Sequence, residues 1–182
     1  MTNIPILILI AALIQGCSAV DPNPVEEYLS LINPEPDAAQ NGRIQPFVKL
    51  YSGLNEGPLA QKVDDTYAEE LYFNDTLVTL HDRKSLLRYM EQTQSNLDSI
   101  SLEVLGIQSQ GDDVFVRWIM DTGFTVMGQE RQVTSIGMSH LRFNSDNKII
   151  LHQDYWDSMQ GLYLHIPVIG GFLQWLKNGL HD

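Results

Sequence analysis

The sequence predicts an α+β fold in which about three N-terminal helices and a C-terminal helix pack on one curved antiparallel sheet. Apolar residues recur at helical spacing near the start of the folded part and near the C-terminus, and long strand-like segments lie between them. Helices grouped before a run of strands are typical of α+β domains. Because long strands twist strongly, the sheet should curve around a cavity that the helices close.

Three N-terminal helices are predicted from local patterns. The apolar face of the first comprises Ile44, Phe47, Val48, Tyr51 and Leu54. The pair Gly57-Pro58 opens the second helix, which carries Leu59 and Val63 on its apolar side. Asp82 is predicted to cap the third helix, because an aspartate oxygen at that position accepts a hydrogen bond from the first helical turn.

The sheet is predicted from one short strand and several long ones. The short strand covers residues 70–73 and continues past Asn74-Asp75 into Leu77-Val78. The long strands cover residues 100–108, 114–124, 132–143 and 149–157. Residues typical of turns separate them at Gly111-Asp112, Gly128-Gln129 and Ser145-Asp146-Asn147.

The composition excludes several classes of function. The 182 residues carry a net charge of -12 at pH 7, so the surface repels nucleic-acid phosphates and anionic membranes. Cys17 is the single cysteine, which excludes an internal disulfide and cysteine-based metal sites. The histidines show no spacing that would bring three ligands together, and neither a metal nor another cofactor is expected.

The N-terminal segment is typical of an exported protein. Residues 1–16 hold an apolar run that is too short to span a bilayer but suits a signal peptide. The pair Gly16-Cys17 at its end resembles the lipobox of bacterial lipoproteins. This resemblance implies lipidation of the Cys17 thiol and, with Ser18 next in the chain, an outer-membrane lipoprotein facing the periplasm. No Lys or Arg precedes the apolar run, and the alternatives are an ordinary cleaved signal or a spurious N-terminal extension.

Three segments follow the signal peptide. Residues 17–42 are polar and rich in proline, which predicts an extended tether with one helical turn near residues 25–32. Residues 43–160 form the predicted domain. Residues 161–182 form a C-terminal extension that predicts an amphipathic helix from Gly170 onward, either packed on the domain or acting as a lid or membrane-facing element.

Several segments resemble one known family. Residues 73–77 resemble the element after the early strand of nuclear transport factor 2-like and SnoaL-like proteins, and residues 137–143 and 148–157 resemble their last two strands. The tail over residues 162–177 resembles a bacterial subgroup without an assigned activity. The resemblance implies a conical fold with an internal pocket. Because the superfamily includes ketosteroid isomerases, polyketide cyclases, an epoxide hydrolase and members without activity, it does not imply one function.

The last predicted strand carries the first candidate site. Side-chain alternation places His152, Asp154 and Trp156 on one face. The resemblance implies that this face lines the pocket and that Asp154 matches the acid/base aspartate of the polyketide cyclases. A carboxylate beside an imidazole in an apolar pocket can act as a general base. The alternative is a buried His–Asp pair that only joins the strand to its neighbour.

Asp75 is the second candidate. By resemblance it matches the general-base aspartate of the ketosteroid isomerases, which also need oxyanion donors opposite the base. Phe47 stands where those enzymes carry a tyrosine, and Ser139 stands where they carry a protonated aspartate. Tyr51 and Tyr72 are the hydroxyls that can replace the missing donors. Steroid isomerisation by the known mechanism is therefore not expected, and a turn residue is the alternative role for Asp75.

Trp118 is predicted to form part of the pocket wall rather than a catalytic group. It lies on the strand face opposite Arg117 and Asp121, and these residues do not assemble the Asp–Arg–Asp set of the epoxide hydrolases. His140 alternates with Ser139, so it should point away from a pocket that Ser139 faces.

Three functional hypotheses follow from these patterns. The favoured hypothesis is an envelope lipoprotein that binds a small apolar or aromatic ligand, because the known catalytic sets are incomplete. Its predicted ligand contacts are Trp156, Ser139, Phe47, Tyr51, Tyr72 and Trp118. The second is a cofactor-independent isomerase, cyclase or hydrolase in which Asp154, His152 and Asp75 carry the acid–base chemistry. The third is an interaction domain that forms a homodimer through the convex face of the sheet.

Overall fold

A computed structural model of the chain describes residues 24–35 and 41–166, together with Gly171, Leu173, Trp175, Leu176 and Gly179. The predicted signal peptide, Cys17 and parts of the predicted tether lie outside these residues, as does much of the C-terminal segment. The described residues from Gly171 onward are helical.

Five α-helices are described within these ranges. They are α1 (Pro24–Leu31), α2 (Gln45–Ser52), α3 (Leu59–Thr66), α4 (Arg83–Asn96) and α5 (Ser158–Gly161). A 3-10 turn, Tyr163–His165, follows α5. Asp82 caps α4 as predicted, since its Oδ1 accepts a hydrogen bond from the Ser85 backbone N–H at 2.8 Å. In this part of the chain, no helix has the length and apolar character needed to cross a membrane.

Six strands form one sheet. They are β1 (Tyr67–Asn74), β2 (Thr79–Asp82), β3 (Ser99–Gln110), β4 (Asp113–Val126), β5 (Gln129–Phe143) and β6 (Ile149–Trp156). Their order across the sheet is β2-β1-β6-β5-β4-β3. The long strands were expected from their alternation and turns; β3, β4 and β5 extend slightly beyond the predicted bounds, whereas β6 ends one residue earlier.

The sheet is mixed rather than purely antiparallel, because β1 and β6 pair in parallel. The chain leaves β2 through α4, reaches the far edge at β3, and returns strand by strand. The last strand therefore arrives between β5 and β1 and runs in the same direction as β1. Local patterns predict strands and turns, but strand order depends on which edge remains open.

The helices and the sheet bury one continuous apolar core. α2 packs against β3, whereas α3 and α4 pack against β1. The largest fully buried side chains include Tyr67, Phe47, Phe73, Ile44, Leu50, Leu86, Leu141 and Ile149. Burial of each large apolar side chain contributes about 1.5–3 kcal/mol, and the same packing fixes the strands that form the site.

The segment before the domain also contacts the sheet. α1 contacts β5, and the Glu35 backbone N–H donates to the Leu105 carbonyl oxygen at 3.0 Å. The Glu35 carboxylate in turn accepts a hydrogen bond from the Ile107 backbone N–H at 3.1 Å. These contacts lie beside the register shift between Val104 and Gly106 in β3, so this part of the predicted tether is attached to the edge of the sheet.

Candidate functional site

A cavity of about 670 Å³ lies between the inner face of the sheet, α4 and the segment that begins at α5. Its volume falls within the range of roughly 300–1,000 Å³ that is common for small-molecule sites. Six aromatic rings contribute to its wall: Tyr51, Phe73, Tyr89, Trp118, Phe124 and Trp156. The cavity is therefore suited to an apolar guest.

Strand β6 presents polar groups to this cavity. Asp154 and Trp156 line it, and His152 lies on the same face of the strand but is fully buried behind them. The intervening Tyr155 is exposed on the opposite face. The three side chains singled out by alternation thus share the inner side, although only two of them reach the cavity.

One oxygen of Asp154 is held by the protein and the other is not. Oδ1 accepts hydrogen bonds from Ser139 Oγ at 2.5 Å and from His152 Nε2 at 2.7 Å. Ser139 Oγ accepts a hydrogen bond from Trp118 Nε1 at 2.9 Å, which sets the direction in which its own proton points. No described residue donates to Oδ2, and the Asp154 side chain retains 11% exposure. Oδ2 is therefore the oxygen available to a molecule in the cavity.

The hydrogen bonds continue behind His152 and return to the cavity. His152 Nδ1 lies 2.6 Å from the Tyr67 hydroxyl, which lies 3.1 Å from the Tyr51 hydroxyl. When Asp154 is a carboxylate and His152 is neutral, Nε2 donates to Asp154, Nδ1 accepts from Tyr67, and Tyr67 accepts from Tyr51. The hydroxyls of Tyr51 and Tyr67 then each donate one hydrogen bond in a defined direction. We call Tyr51, Tyr67, His152 and Asp154 the buried relay.

Aromatic packing fixes the imidazole of His152. Its ring lies nearly parallel to that of Tyr67, with an interplanar angle of 5° and a centroid distance of 6.0 Å, because the Tyr67 hydroxyl and Nδ1 join the two rings edge to edge. Phe73 and Phe47 meet it edge-on at 4.9 Å and 5.7 Å. A ring held on several sides cannot rotate freely, so both nitrogens keep their partners. Phe47, predicted as a ligand contact, instead lies behind the cavity wall against His152 and Tyr51.

Burial keeps the relay tyrosines protonated. Loss of solvent raises the pKa of Tyr51 well above its ordinary value, and the neighbouring Tyr67 and Asp154 raise it further. The pKa of Tyr67 is raised mainly by burial as well. Both hydroxyls are therefore donors, and not phenolates, at neutral pH.

Asp75 lines the cavity from the turn between β1 and β2, but its oxygens are already occupied. Oδ1 accepts hydrogen bonds from the backbone N–H groups of Leu77 and Val78, each at 3.0 Å. Oδ2 accepts from the Tyr89 hydroxyl at 2.5 Å. The predicted strand through Leu77-Val78 is thus replaced by an aspartate-stabilised turn, and the paired strand begins at Thr79. Asp75 contributes a fixed carboxylate rather than an open base.

The same turn holds a strained residue. Thr76 has φ = 76°, a left-handed conformation that costs on the order of 1–3 kcal/mol for a residue other than glycine. Its backbone N–H donates to Asn74 Oδ1 at 2.9 Å, and Trp156 Nε1 donates to the Asp75 carbonyl oxygen at 2.8 Å. The turn is therefore fixed directly to the cavity wall.

The family of the chain is decided by a sequence match that spans most of these elements. The model of the SnoaL-like domain matches residues 47–152, which is more than half of the chain. This chain belongs to the SnoaL-like domain family. The resemblance seen in the predicted strands is thereby confirmed at the level of the family, and no curated protein matches the chain.

Solved structures share the fold of this SnoaL-like domain. A nuclear transport factor 2-like protein of unknown function from Exiguobacterium sp. 255-15 has 17% identity and a TM-score of 0.54, covering 63% of this chain and 98% of its own. A protein of ketosteroid isomerase-like fold from Catenulispora acidiphila, solved with trimethylamine, has 14% identity and a TM-score of 0.56, covering 67% and 90%. An LEH-like epoxide hydrolase from M. tuberculosis has 13% identity and a TM-score of 0.50, covering 65% and 83%. These likenesses confirm the predicted α+β fold, and at such identities they show the fold alone.

Besides Phe47, two predicted ligand contacts of the SnoaL-like domain lie outside the cavity lining. Tyr72 is on the outer face, where its hydroxyl donates to Gln153 Oε1 at 3.2 Å. The reason is alternation along β1, because Leu71 and Phe73 point into the core. Ser139 is buried within the wall and contacts Asp154 rather than the cavity space. Tyr51, Trp118 and Trp156 do line the cavity as predicted.

Two tyrosines of the site were missed by the sequence analysis. Tyr67 begins β1 and completes the buried relay, whereas Tyr89 lies on α4 and donates to Asp75. Tyr89 is one turn from Leu86 and next to Met90, both of which are buried, so helical spacing could have placed it on the inner face. Burial raises the pKa of Tyr89, and the hydrogen bond to Asp75 adds to this effect.

Two glycines make room for the cavity indoles. A Cβ atom added at Gly137 would lie 2.5 Å from the ring of Trp118, and one added at Gly161 would lie 2.5 Å from the ring of Trp156. Both distances are far below van der Waals contact, so each ring depends on the absence of a side chain at its neighbour. The positions of the two indoles are therefore set by close packing as well as by their N–H hydrogen bonds.

His140, Asp113 and Arg142 form a separate cluster outside the site. His140 lies away from the cavity, where Nε2 is 2.8 Å from Asp113 Oδ1 and the ring stacks on Phe115. Arg142 also contacts Asp113 and, with His140, lowers the pKa of that carboxyl to about 2. Across the described ranges, no three His, Cys, Asp or Glu residues cluster as metal ligands would.

Proposed function

We propose that this SnoaL-like domain binds a small, mostly apolar molecule in its cavity. The observation that carries the proposal is a volume of about 670 Å³ with an aromatic wall and one open carboxylate oxygen, Asp154 Oδ2. Sites of this kind gain affinity from apolar contact and orientation from a few polar groups. The trimethylamine complex of the structural relative from Catenulispora acidiphila is consistent with a small guest for this fold.

Trp156 provides the first test. Trp156→Ala should weaken binding of the neutral fluorescent probe N-phenyl-1-naphthylamine about tenfold, because the indole offers a large flat contact at the cavity wall. The measurement is a fluorescence titration of the folded protein. Tyr155→Ala is the matched control, since Tyr155 is the next residue of the same strand and is exposed on the outer face. Equal affinities in the two variants would contradict binding at this wall.

A second candidate function is cofactor-independent proton transfer. Asp154 Oδ2 faces an apolar cavity while Oδ1 is held by Ser139 and His152, and a fixed carboxylate with one open oxygen can act as a general base. The proton would move from a C–H or O–H of the bound molecule to Oδ2, leaving the electron pair on that molecule. Orientation of Asp154 by two donors supports this candidate.

Asp154→Asn separates binding from catalysis. If Asp154 is a base, the wild-type protein should accelerate exchange of the acidic α-hydrogens of 2-tetralone with deuterated water, and the variant should fall to the buffer rate. Binding of N-phenyl-1-naphthylamine should persist in the variant, which shows that the cavity is intact. Exchange is followed by proton NMR. Wild-type exchange at the buffer rate would argue for a binding protein, and unchanged exchange in the variant would place the base elsewhere.

We also propose that the domain is anchored to the cell envelope through Cys17. The support is the apolar run followed by Gly16-Cys17, which resembles the lipobox at which bacterial lipoproteins are lipidated. Cys17→Ala should move the full-length protein, expressed in a Gram-negative host, from the outer-membrane fraction to the soluble periplasmic fraction, as judged by immunoblot. Ser18→Ala is the adjacent control and should stay in the membrane fraction. A wild-type protein that is already soluble would exclude the anchor.

A further inference from the structure

The cavity wall offers hydrogen-bond acceptance but little donation. With Asp154 as a carboxylate and His152 neutral, Tyr51 donates into the buried relay, and Tyr89 donates to Asp75. Both indole N–H groups also donate inside the protein, from Trp118 to Ser139 and from Trp156 to the Asp75 carbonyl oxygen.

The hydroxyl groups of Thr and Ser residues in the wall also donate their hydrogen bonds within the protein. Thr93 donates to the Tyr89 carbonyl oxygen at 3.0 Å, and Thr125 donates to Asp98 at 2.8 Å. Ser95 donates to the Gln92 carbonyl oxygen at 2.7 Å. Among described residues, the amide of Asn96 at the exposed rim is the side-chain donor without such a role. Deeper in the cavity, Asp154 Oδ2 is an acceptor to which no described residue donates.

The charges of the wall have one sign. Asp75 and Asp154 line its interior and Asp98 lies at its exposed rim, whereas no described lining residue is Lys, Arg or His. The chain as a whole carries a net charge of -12. A cleft lined by one sign of charge attracts ligands of the opposite sign and repels those of its own sign.

The aromatic wall also favours ligands that carry a positive charge. The faces of Trp, Tyr and Phe rings attract ammonium groups through the ring quadrupole, and Trp attracts them most strongly. Trp118 and Trp156 both border the cavity and share it with Asp154. An ammonium group in this cavity would have both indole rings and the carboxylate of Asp154 among its lining groups.

From this arrangement we infer that the ligand is a small organic cation, an ammonium group that carries apolar substituents. The inference rests on the proposed binding function and names the class of its ligand. Asp154 Oδ2 accepts a hydrogen bond from the ammonium N–H, and the aromatic wall contacts the apolar part. Carboxylates and phosphates are disfavoured, because none of the described residues that line the cavity is a cation that could receive them.

Three compounds with a shared phenylethyl group test the inference. They are 2-phenylethylammonium, 2-phenylethanol and 3-phenylpropanoate, which at pH 7 are cationic, neutral and anionic. In isothermal titration calorimetry with the full-length protein, the ammonium should bind at least tenfold more tightly than the alcohol, and the carboxylate should show no binding. Asp154→Asn should reduce the ammonium-to-alcohol ratio to about threefold or less. Asp146→Asn removes the same charge from an exposed turn and should leave the ratio unchanged.

Each other outcome has a defined meaning. An alcohol or carboxylate that binds as tightly as the ammonium overturns the inference, and so does an ammonium preference that survives Asp154→Asn. Failure of all three compounds also overturns it. In these cases the titration with N-phenyl-1-naphthylamine tests the proposed binding of apolar molecules separately, because that neutral probe does not depend on a cation site.

Discussion

Replacing His152 by alanine should lower the free energy of unfolding by about 3–5 kcal/mol, the usual effect of breaking a buried ionisable pair from one side. The imidazole has no solvent exposure and joins Asp154 to Tyr67 at 2.7 Å and 2.6 Å. Its removal leaves a buried hydroxyl and a carboxylate oxygen each short of one partner, and it opens a void between aromatic rings. Urea denaturation followed by far-ultraviolet circular dichroism measures the change.

His140→Ala is the matched control for this experiment. His140 also lies close to an aspartate, but this pair is partly exposed on the other side of the sheet, so its loss should cost within about 1 kcal/mol. Combining His152→Ala with Asp154→Ala should cost less than the sum of the two single changes, since the second removes the carboxylate that the first leaves unpaired. Additive losses, or a His152 variant as stable as the His140 variant, would show that the buried relay is not a coupled unit.

Replacing Phe47 by alanine should also cost about 3–5 kcal/mol, as is common for a fully packed phenylalanine. Phe47 has 2% exposure and contacts Tyr51 and His152 with ring centroids at 4.8 Å and 5.7 Å. Because it lies behind the wall, Phe47→Ala should change affinity for N-phenyl-1-naphthylamine less than Trp156→Ala does. Stability is measured by urea denaturation, and affinity is measured well below the unfolding midpoint.

Tyr72→Ala is the appropriate comparison, because both positions were predicted as ligand contacts and neither lines the cavity. Tyr72 lies partly exposed on the outer face, so its substitution should alter stability by at most about 1 kcal/mol and should leave probe affinity unchanged. A Phe47 variant that remains stable but loses probe binding would instead place that ring inside the cavity.

Local rules were sufficient for much of the fold and for one side of the site. Alternation along a strand placed Asp154 and Trp156 on the inner face, and capping chemistry identified Asp82 before it began α4. Both rules act between residues that are close in sequence. The turn at Asp75 and the start of β2 were not predicted. There the apolar residues Leu77 and Val78 suggested a strand, but their backbone N–H groups bond to the Asp75 side chain instead.

The partners of those residues depended on tertiary contacts. Nothing near Tyr67 in the sequence indicates that its hydroxyl meets His152, because the pairing of β1 with β6 brings them together. The position of Phe47 was inferred from related enzymes, in which the equivalent side chain has a hydroxyl. Without that hydroxyl, the ring packs fully into apolar surroundings and Tyr51 provides the phenol on the cavity wall.

The parallel pairing of β1 with β6 also bears on the order in which the molecule can assemble. Tyr67 and His152 are separated by 85 residues, and β6 lies between β5 and β1 in the sheet. Contacts between such distant segments carry a large chain-closure entropy and are typical of slow folding. Because β6 carries Asp154 and Trp156, the wall of the cavity is complete only when this last strand has joined the sheet.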